Sequence, residues 1–347
     1  MQNSLSTNLG KKGFVFSFTG SLLNTSDVIT HTRFIRSKAG LSKYFKRITI
    51  GVKEEQEYNV YTGLISDTLK ANSFSYNEWE AFLQNPDTTK NKYKIFYKKR
   101  LDYLPVISSF NLATTAQNVG FNLGLLKNSK SQFTLTATYR HLDINDTLLS
   151  SQKQENSLVS QMEYYLKAFK GAITSNTYYE LGSGLEVKKE FSYLEVAPGQ
   201  GIYTWTDYNS NNVKELNEFE IAAFQDQASY IRVYTPTSDY VKTFTNMFSQ
   251  VLNINPAVKW SSKKGLKKFI ARLSDMATYR IDHKNNSDDG LVAYNPFTSK
   301  ISDTALISVN SSFRNVFYFN KSSSKFGFDV NFQDGRNKSL MVNGFAA

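Results

Sequence analysis

Apolar and polar residues alternate one by one along much of this chain, and that alternation limits what it can fold into. In 118–125, Val119, Phe121, Leu123 and Leu125 take every second place, with Asn118, Gly120, Asn122 and Gly124 between them. In 132–140, Phe133, Leu135, Ala137 and Tyr139 alternate with Gln132, Thr134, Thr136, Thr138 and Arg140. Successive side chains of a strand point to opposite faces, so each stretch is a ribbon with one apolar and one polar side. Lys127-Asn128-Ser129-Lys130 between them reads as a polar turn, and the pair as a hairpin.

The pattern recurs. Phe14, Phe16, Phe18 and Leu22 share a face, as do Tyr93, Ile95, Tyr97 and Leu101 opposite Lys92, Lys94, Lys98 and Arg100. Leu158, Met162, Tyr164 and Leu166 oppose Gln161, Glu163 and Lys167. Ile307, Val309, Phe313, Phe317 and Phe319 form another face, and Phe326, Phe328, Val330 and Phe332 one more. The segment 268–281 follows the rule with Asp275 as an exception on its apolar side. Strands of about 9–12 residues, longer than the usual 5–6 of globular sheets, suit a transmembrane barrel with lipid outside and water inside. A sheet in lipid must close on itself, because hydrocarbon offers unpaired backbone groups no partner.

The expected fold is therefore all-β: an antiparallel up-and-down transmembrane β-barrel of roughly 14 to 16 strands, with a short helix-containing insert. Tyr44-Phe45, Tyr178-Tyr179 and Tyr318-Phe319 are expected near strand ends, as an interfacial girdle. A wet lumen reconciles 50 aromatic residues (26 Phe, 21 Tyr and 3 Trp) with a polar average. A soluble extracellular β-sheet protein that binds glycan or a surface partner would alternate in the same way, and stands as the alternative.

No run approaches 18 apolar residues, so a membrane-spanning helix is excluded. Lys11-Lys12 before Gly13–Leu23 resembles a signal peptide, but Ser17, Thr19 and Ser21 interrupt it at every second place, which reads as a strand. The chain ends on Ala346-Ala347 after an apparent turn, without a terminal aromatic. Both ends read as cut, so the expectation is an incomplete part, 1–347, of a larger barrel. Zero cysteines exclude a disulfide framework, a cysteine-ligated metal and a thiol nucleophile.

One segment, 197–230, breaks the alternation and is expected outside the membrane. From Asp207, side-chain oxygens fall at loop positions 1, 3 and 5: Asp207, Asn209 and Asn211. Position 7 is Val213, with a backbone carbonyl to offer, and position 12 is Glu218. That spacing fits an EF-hand-like Ca²⁺ loop. Position 6, usually Gly for its positive φ, is Asn212, the next most tolerant residue there. Lys214 at the eighth position and the small number of carboxylates predict modest affinity. An Asn/Asp-rich turn capping a short helix near Glu215 is the plainer alternative. Gly199 and Gly201 read as a turn, since no P-loop Lys-Ser/Thr follows them.

The same segment carries a family resemblance. Tyr179-Glu180-Leu181-Gly182-Ser183-Gly184 is followed by Gly199-Gln200-Gly201, Tyr203, Trp205, Asp207-Tyr208-Asn209 and Glu215-Leu216-Asn217-Glu218-Phe219-Glu220. Tyr230-Ile231-Arg232-Val233 and Pro236-Thr237 complete it. Together they resemble part of large outer-membrane and cell-surface proteins of the Bacteroidota, over residues 178–256. The resemblance implies an outer-membrane location and a longer parent chain, and supplies no catalytic residue. That family usually has Asp-Gly where this chain has Asn211-Asn212.

The net charge of +11 gathers in clusters. Lys92, Lys94, Lys98, Lys99 and Arg100 interleave with aromatics, and Lys263, Lys264, Lys267 and Lys268 form a second group. Without a helix-turn-helix, zinc-finger or RNP-type motif, nucleic acid is not the expected partner. A lumen lining, a loop, or contact with lipopolysaccharide phosphates fits better. Glu78 and Glu80 flank Trp79 and share a strand face; a lumen could use them electrostatically. His141 precedes Asp143 and Asp146, but the abundant serines assign no triad. The expected work is non-enzymatic: a pore, scaffold or presenter of surface loops in the bacterial outer membrane, touching lipid and a surface or periplasmic protein partner.

Overall fold

The computed structural model describes residues 2–9, 13–27, 29–63, 68–86, 88–287, 290–297, 306–321, 323, 325–341 and 344–346. Its strands are β1 (Gln2–Leu9), β2 (Phe14–Ser26), β3 (Thr30–Phe45), β4 (Ile48–Gly63), β5 (Phe74–Gln84) and β6 (Lys92–Val106). Next come β7 (Ser109–Leu125), β8 (Ser131–Ile144), β9 (Glu155–Ala168) and β10 (Ile173–Glu195). Two short strands, β11 (Tyr203–Trp205) and β12 (Phe219–Ile221), precede β13 (Tyr230–Ile254), β14 (Leu273–Asn285), β15 (Leu306–Phe319), β16 (Phe328–Met341) and β17 (Gly344–Ala346). Three α-helices of four or five residues are α1 (Ala257–Trp260), α2 (Leu266–Ile270) and α3 (Gly290–Ala293). The fold class is all-β and antiparallel, as the alternation predicts.

The chain divides into two compact units. The first comprises Met1–Gly184, Phe248–Thr278 and Asn315–Asn331. In it each strand from β1 to β9 pairs antiparallel with the next in sequence, and β9 pairs with β10. The registers are unbroken except for an irregularity at Asp102/Tyr103. One row of Cα partners runs Phe16, Leu41, Val52, Ala81, Tyr97, Val119, Tyr139 and Leu158 across eight strands. The next row runs Ser17, Gly40, Lys53, Glu80, Lys98, Asn118, Arg140 and Ser157. A shift of one residue exchanges an apolar row for a polar one, which pins the register.

Burial is inverted relative to a water-soluble sheet. On the apolar face Val52 is 46% exposed, Ile95 51% and Val119 53%. On the charged face Glu80 is 7% exposed, and Tyr76 and Phe82 are also buried. A soluble protein hides the apolar side of a two-faced strand; across β5–β8 it is the apolar side that is the more exposed.

Several expectations need correction. The strands are longer than predicted: β7 has 17 residues, because Ala113, Thr114, Thr115 and Ala116 are small and buried and extend it without alternating. The stretch 268–281 is not one strand, since α2 occupies Leu266–Ile270 and β14 begins at Leu273. Asp275, the exception on that strand, accepts a hydrogen bond from the Asn315 amide at 2.9 Å. Tyr178 and Tyr179 lie inside β10 rather than at its end.

The second unit comprises Leu185–Met247, Tyr279–Arg314 and Phe332–Ala347. Its insert is a small hairpin, β11 on β12, with Tyr203 also opposite Tyr230 of β13. Tyr193 stacks on Phe219 at 4.0 Å between ring centres, and Phe219 meets Tyr230 edge-on at 5.0 Å. Asn246 and Asn285, both buried, donate to the carbonyl of Ala293 at 2.8 and 3.0 Å.

Candidate functional site

Two places concentrate polar chemistry: the charged face of β3–β6 in the first unit, and the 207–218 loop in the second.

On the charged face, Glu55 takes Arg36, Lys38 (2.8 Å) and the Tyr76 hydroxyl (2.9 Å). Lys98 bridges Glu78 at 3.0 Å and Glu80 at 3.2 Å, and Lys94 closes on Glu80. Arg100 holds Asp102 at 2.9 Å and lies 3.8 Å over the Tyr76 ring. The Lys94 ammonium also sits 5.3 and 5.1 Å over the rings of Phe82 and Phe96. Phe96 can lie flat among these charges because residue 120 is Gly: a Cβ there would be 2.1 Å from its ring. Ser17, Thr19, Lys38, Lys53, Glu55 and Glu80 help to line a cavity of about 370 Å³. The strand alternation identifies the face, and Glu78 and Glu80 do share it. Their cation partners depend on the β5–β6 register, which is not written in either strand alone. Chemically the array is a ladder of paired opposite charges along one face of β3–β6.

The loop is held by side-chain-to-backbone hydrogen bonds of an Asn/Asp-rich turn. Asp207 accepts from the N–H of Asn211 (3.3 Å) and Asn212 (2.8 Å). Asn209 accepts from the N–H of Asn211 at 3.0 Å, and Asn211 from that of Val213 at 2.7 Å. Asn212 adopts φ of 60°, the left-handed turn its position requires, and Ser210 another, at 57°. Leu216–Glu218 form a 3₁₀ turn capped by Glu215 and Glu218 reciprocally. Glu218 is 1% exposed; its Oε2 receives the Trp205 indole N–H at 2.9 Å and the Glu215 N–H at 3.2 Å. Its Oε1 is buried with no hydrogen-bond partner. Beside the loop, the exposed Lys214 bonds Glu195 at 2.7 Å, and that contact raises the lysine pKa. Among the described residues no three His, Cys, Asp or Glu side chains converge on one point. The side-chain oxygens of Asp207, Asn209 and Asn211 each accept from a backbone N–H of the loop, and Val213 and Glu218 complete the expected set.

His141 lies in β8, its ring bonded to Asp143 at 3.0 Å and to Asn156 at 2.5 Å, while Asp146 bonds the N–H of Leu148. Lys263 and Lys264 on the α1–α2 connection and Lys267 and Lys268 in α2 are exposed.

No protein-family model matches the sequence, and no curated protein does. Among solved structures the chain is similar to a Serratia marcescens hemophore receptor, HasR, a double mutant in complex with its hemophore HasA and heme. The identity is 11% and the TM-score 0.38, over 97% of this chain and 52% of that one. It is also similar to the copper transporter OprC, at 5% identity and a TM-score of 0.36, over 97% of this chain and 59% of that one. The chain thus spans between half and three-fifths of those structures' lengths.

Proposed function

We propose that this chain forms wall of an outer-membrane β-barrel, its apolar face against lipid and its charged face against an aqueous lumen. The observation that carries the reading is the inverted burial of the two adjacent residue rows across β5–β8, where Ala81, Tyr97, Val119 and Tyr139 are exposed while Glu80 is buried and Lys98, Asn118 and Arg140 are half-buried. In lipid the exposed apolar row is at home, and the ion ladder keeps its water on the other side. The resemblance of the 178–256 segment to large Bacteroidota outer-membrane proteins supports the same proposed location. The work proposed is passage of polar solutes or presentation of surface structure, without chemistry on a substrate. Ile221 and Phe224, exposed on the insert, are the proposed contact for a protein partner. Detergent dependence tests the reading. The folded chain should be monodisperse only with detergent or lipid; a monodisperse, cooperatively unfolding protein in plain buffer would instead favour the soluble β-sheet alternative.

The 207–218 loop is proposed to bind Ca²⁺ through Asp207, Asn209, Asn211, the Val213 carbonyl and Glu218. The buried, unpartnered Oε1 of Glu218 supports this, because a carboxylate oxygen withdrawn from water needs a cation or a donor. When bound, Ca²⁺ would supply that charge and tie the two ends of the loop together. At a concentration about 100 times Kd it would stabilise the folded insert by about 2.7 kcal/mol. Amide exchange in 207–218 should slow on adding Ca²⁺ to the wild type and stay unchanged in Asp207→Ala. Equal exchange with and without Ca²⁺ in the wild type would remove the proposal.

A further inference from the structure

The excess positive charge of the first unit collects at one end of its strands. In an antiparallel meander successive turns fall at alternate ends. The turns after β1, β3, β5, β7, β9, β13 and β15 therefore share an end, and hydrogen bonds stitch each to the next. Tyr44 donates to the Gly13 carbonyl at 2.8 Å, and the Tyr93 hydroxyl to that of Arg47 at 3.2 Å. The Lys127 N–H donates to Asn91 Oδ1 at 2.9 Å, and the Lys167 N–H to the Lys130 carbonyl at 2.7 Å. Asn255 donates to Ala172 at 2.7 Å, and Asn320 to Arg272 at 2.8 Å. The seven turns thus form one continuous rim.

The rim is basic almost throughout. Lys46-Arg47 make up the whole β3–β4 turn, and Lys127 and Lys130 bracket the β7–β8 turn. The β13–β14 connection adds Lys259, Lys263, Lys264, Lys267, Lys268 and Arg272, and Lys321 and Lys325 follow β15. All of these are exposed, and none has a carboxylate partner among the described residues. Asp87 is the one acidic residue in the sequence of these turns. The turns at the opposite end of this unit are mixed: Asp27, then Lys70, then Asp146 with Lys153.

Aromatics accompany the basic rim. Phe319 lies 6.2 Å from Phe269, 6.3 Å from Phe326 and 5.4 Å from Phe328, ring to ring. Lys43 sits over Phe14 and Phe45, and Lys259 5.4 Å over Phe169. Phe169, Ala172, Ile254, Pro256 and Trp260 line an apolar cavity of about 250 Å³, with Lys259 on its wall.

We propose that this basic-aromatic rim is a seat for anionic lipid: its lysines and arginines bind headgroup phosphates of one leaflet while the aromatic rings sit at headgroup depth. The proposal rests on the barrel reading. Rings with an apolar body suit that interfacial layer. Each basic residue near a negative membrane surface gains about 1 kcal/mol, so the clustered charge favours anionic over zwitterionic lipid and fixes which end faces that leaflet.

The test is the full chain reconstituted in bilayers of phosphatidylcholine, with spin-labelled phosphatidylglycerol or phosphatidylcholine as probe. Lipid at the protein surface gives a motionally restricted spectral component. The labelled phosphatidylglycerol should be preferred about fivefold at low salt, the equivalent of one such contact, and nearly lose that preference in 1 M salt. The variant Lys46→Gln/Arg47→Gln/Lys263→Gln/Lys264→Gln/Lys267→Gln/Lys268→Gln should lose most of it, and Lys70→Gln/Lys153→Gln should keep it. Inorganic phosphate at matched ionic strength should compete no better than chloride; full competition would mean a free-anion site instead. Equal restriction of both lipids by the wild type would overturn the proposal and leave the barrel standing. No restricted component at all would overturn the barrel reading itself.

Discussion

Val119→Arg is expected to destabilise the protein in a bilayer by about 2–4 kcal/mol, the cost of a cation on the lipid face near mid-membrane. The magnitude is informative because Val119 is already 53% exposed. On a sheet facing water, a change at so exposed a site typically alters stability by about 0.5 kcal/mol or less. Val119 lies between Tyr97 and Tyr139 in the apolar row, so no carboxylate stands directly beside it to offset the new charge. Asn118→Ser, one residue away on the charged face, should be close to neutral. Equilibrium unfolding in lipid vesicles measures both. A near-zero effect at Val119 would place that face in water.

Gly201→Ala should destabilise the insert by about 3 kcal/mol, at the upper end for overpacking. A Cβ at Gly201 would lie 2.5 Å from the Tyr230 nitrogen, 2.7 Å from its carbonyl oxygen and 2.8 Å from the Ala228 oxygen. All three are backbone atoms, held in place by the hydrogen bonds of Gly201 to Ala228 and of Ile202 to Tyr230. Relief therefore requires the hairpin to separate from β13, which would carry Tyr203 away from the Tyr193 ring that it meets edge-on at 5.1 Å. The effect should be local: amide exchange in 203–230 should accelerate strongly while β2–β9 remain protected. Gly199→Ala offers a contrast, since its difficulty is conformational, at φ of 84°, with its closest contact at 3.7 Å.

Alternation made the two-faced strands legible without coordinates, because each strand carries its own pattern. Asn212 was legible in the same local way, and its φ of 60° follows from its place in the loop. The register was not legible, since it belongs to pairs of strands. Glu78 and Glu80 could be placed on a common face, yet their binding by Lys94 and Lys98 follows from the β5–β6 pairing. The start of β14 is not legible because Phe269 and Ala271 continue the every-second-place spacing of Leu273, while the single helical turn Leu266–Ile270 is too short to impose a pattern of its own. The basic rim was hidden for another reason: its residues are scattered along the sequence, and only the alternation of turns between two ends gathers them.

The central claim is that one face of these strands meets lipid and the other water. The chain has no cysteine, so single cysteines placed at each of residues 117–123 in β7 give unique spin-label sites. In lipid nanodiscs, labels at 119, 121 and 123 should collide mainly with oxygen, which concentrates in hydrocarbon. Labels at 118, 120 and 122 should collide mainly with a water-soluble nickel chelate. A clear two-residue oscillation in opposite phase for the two reagents is the predicted result. High nickel-chelate accessibility at 119, 121 and 123 would contradict the account.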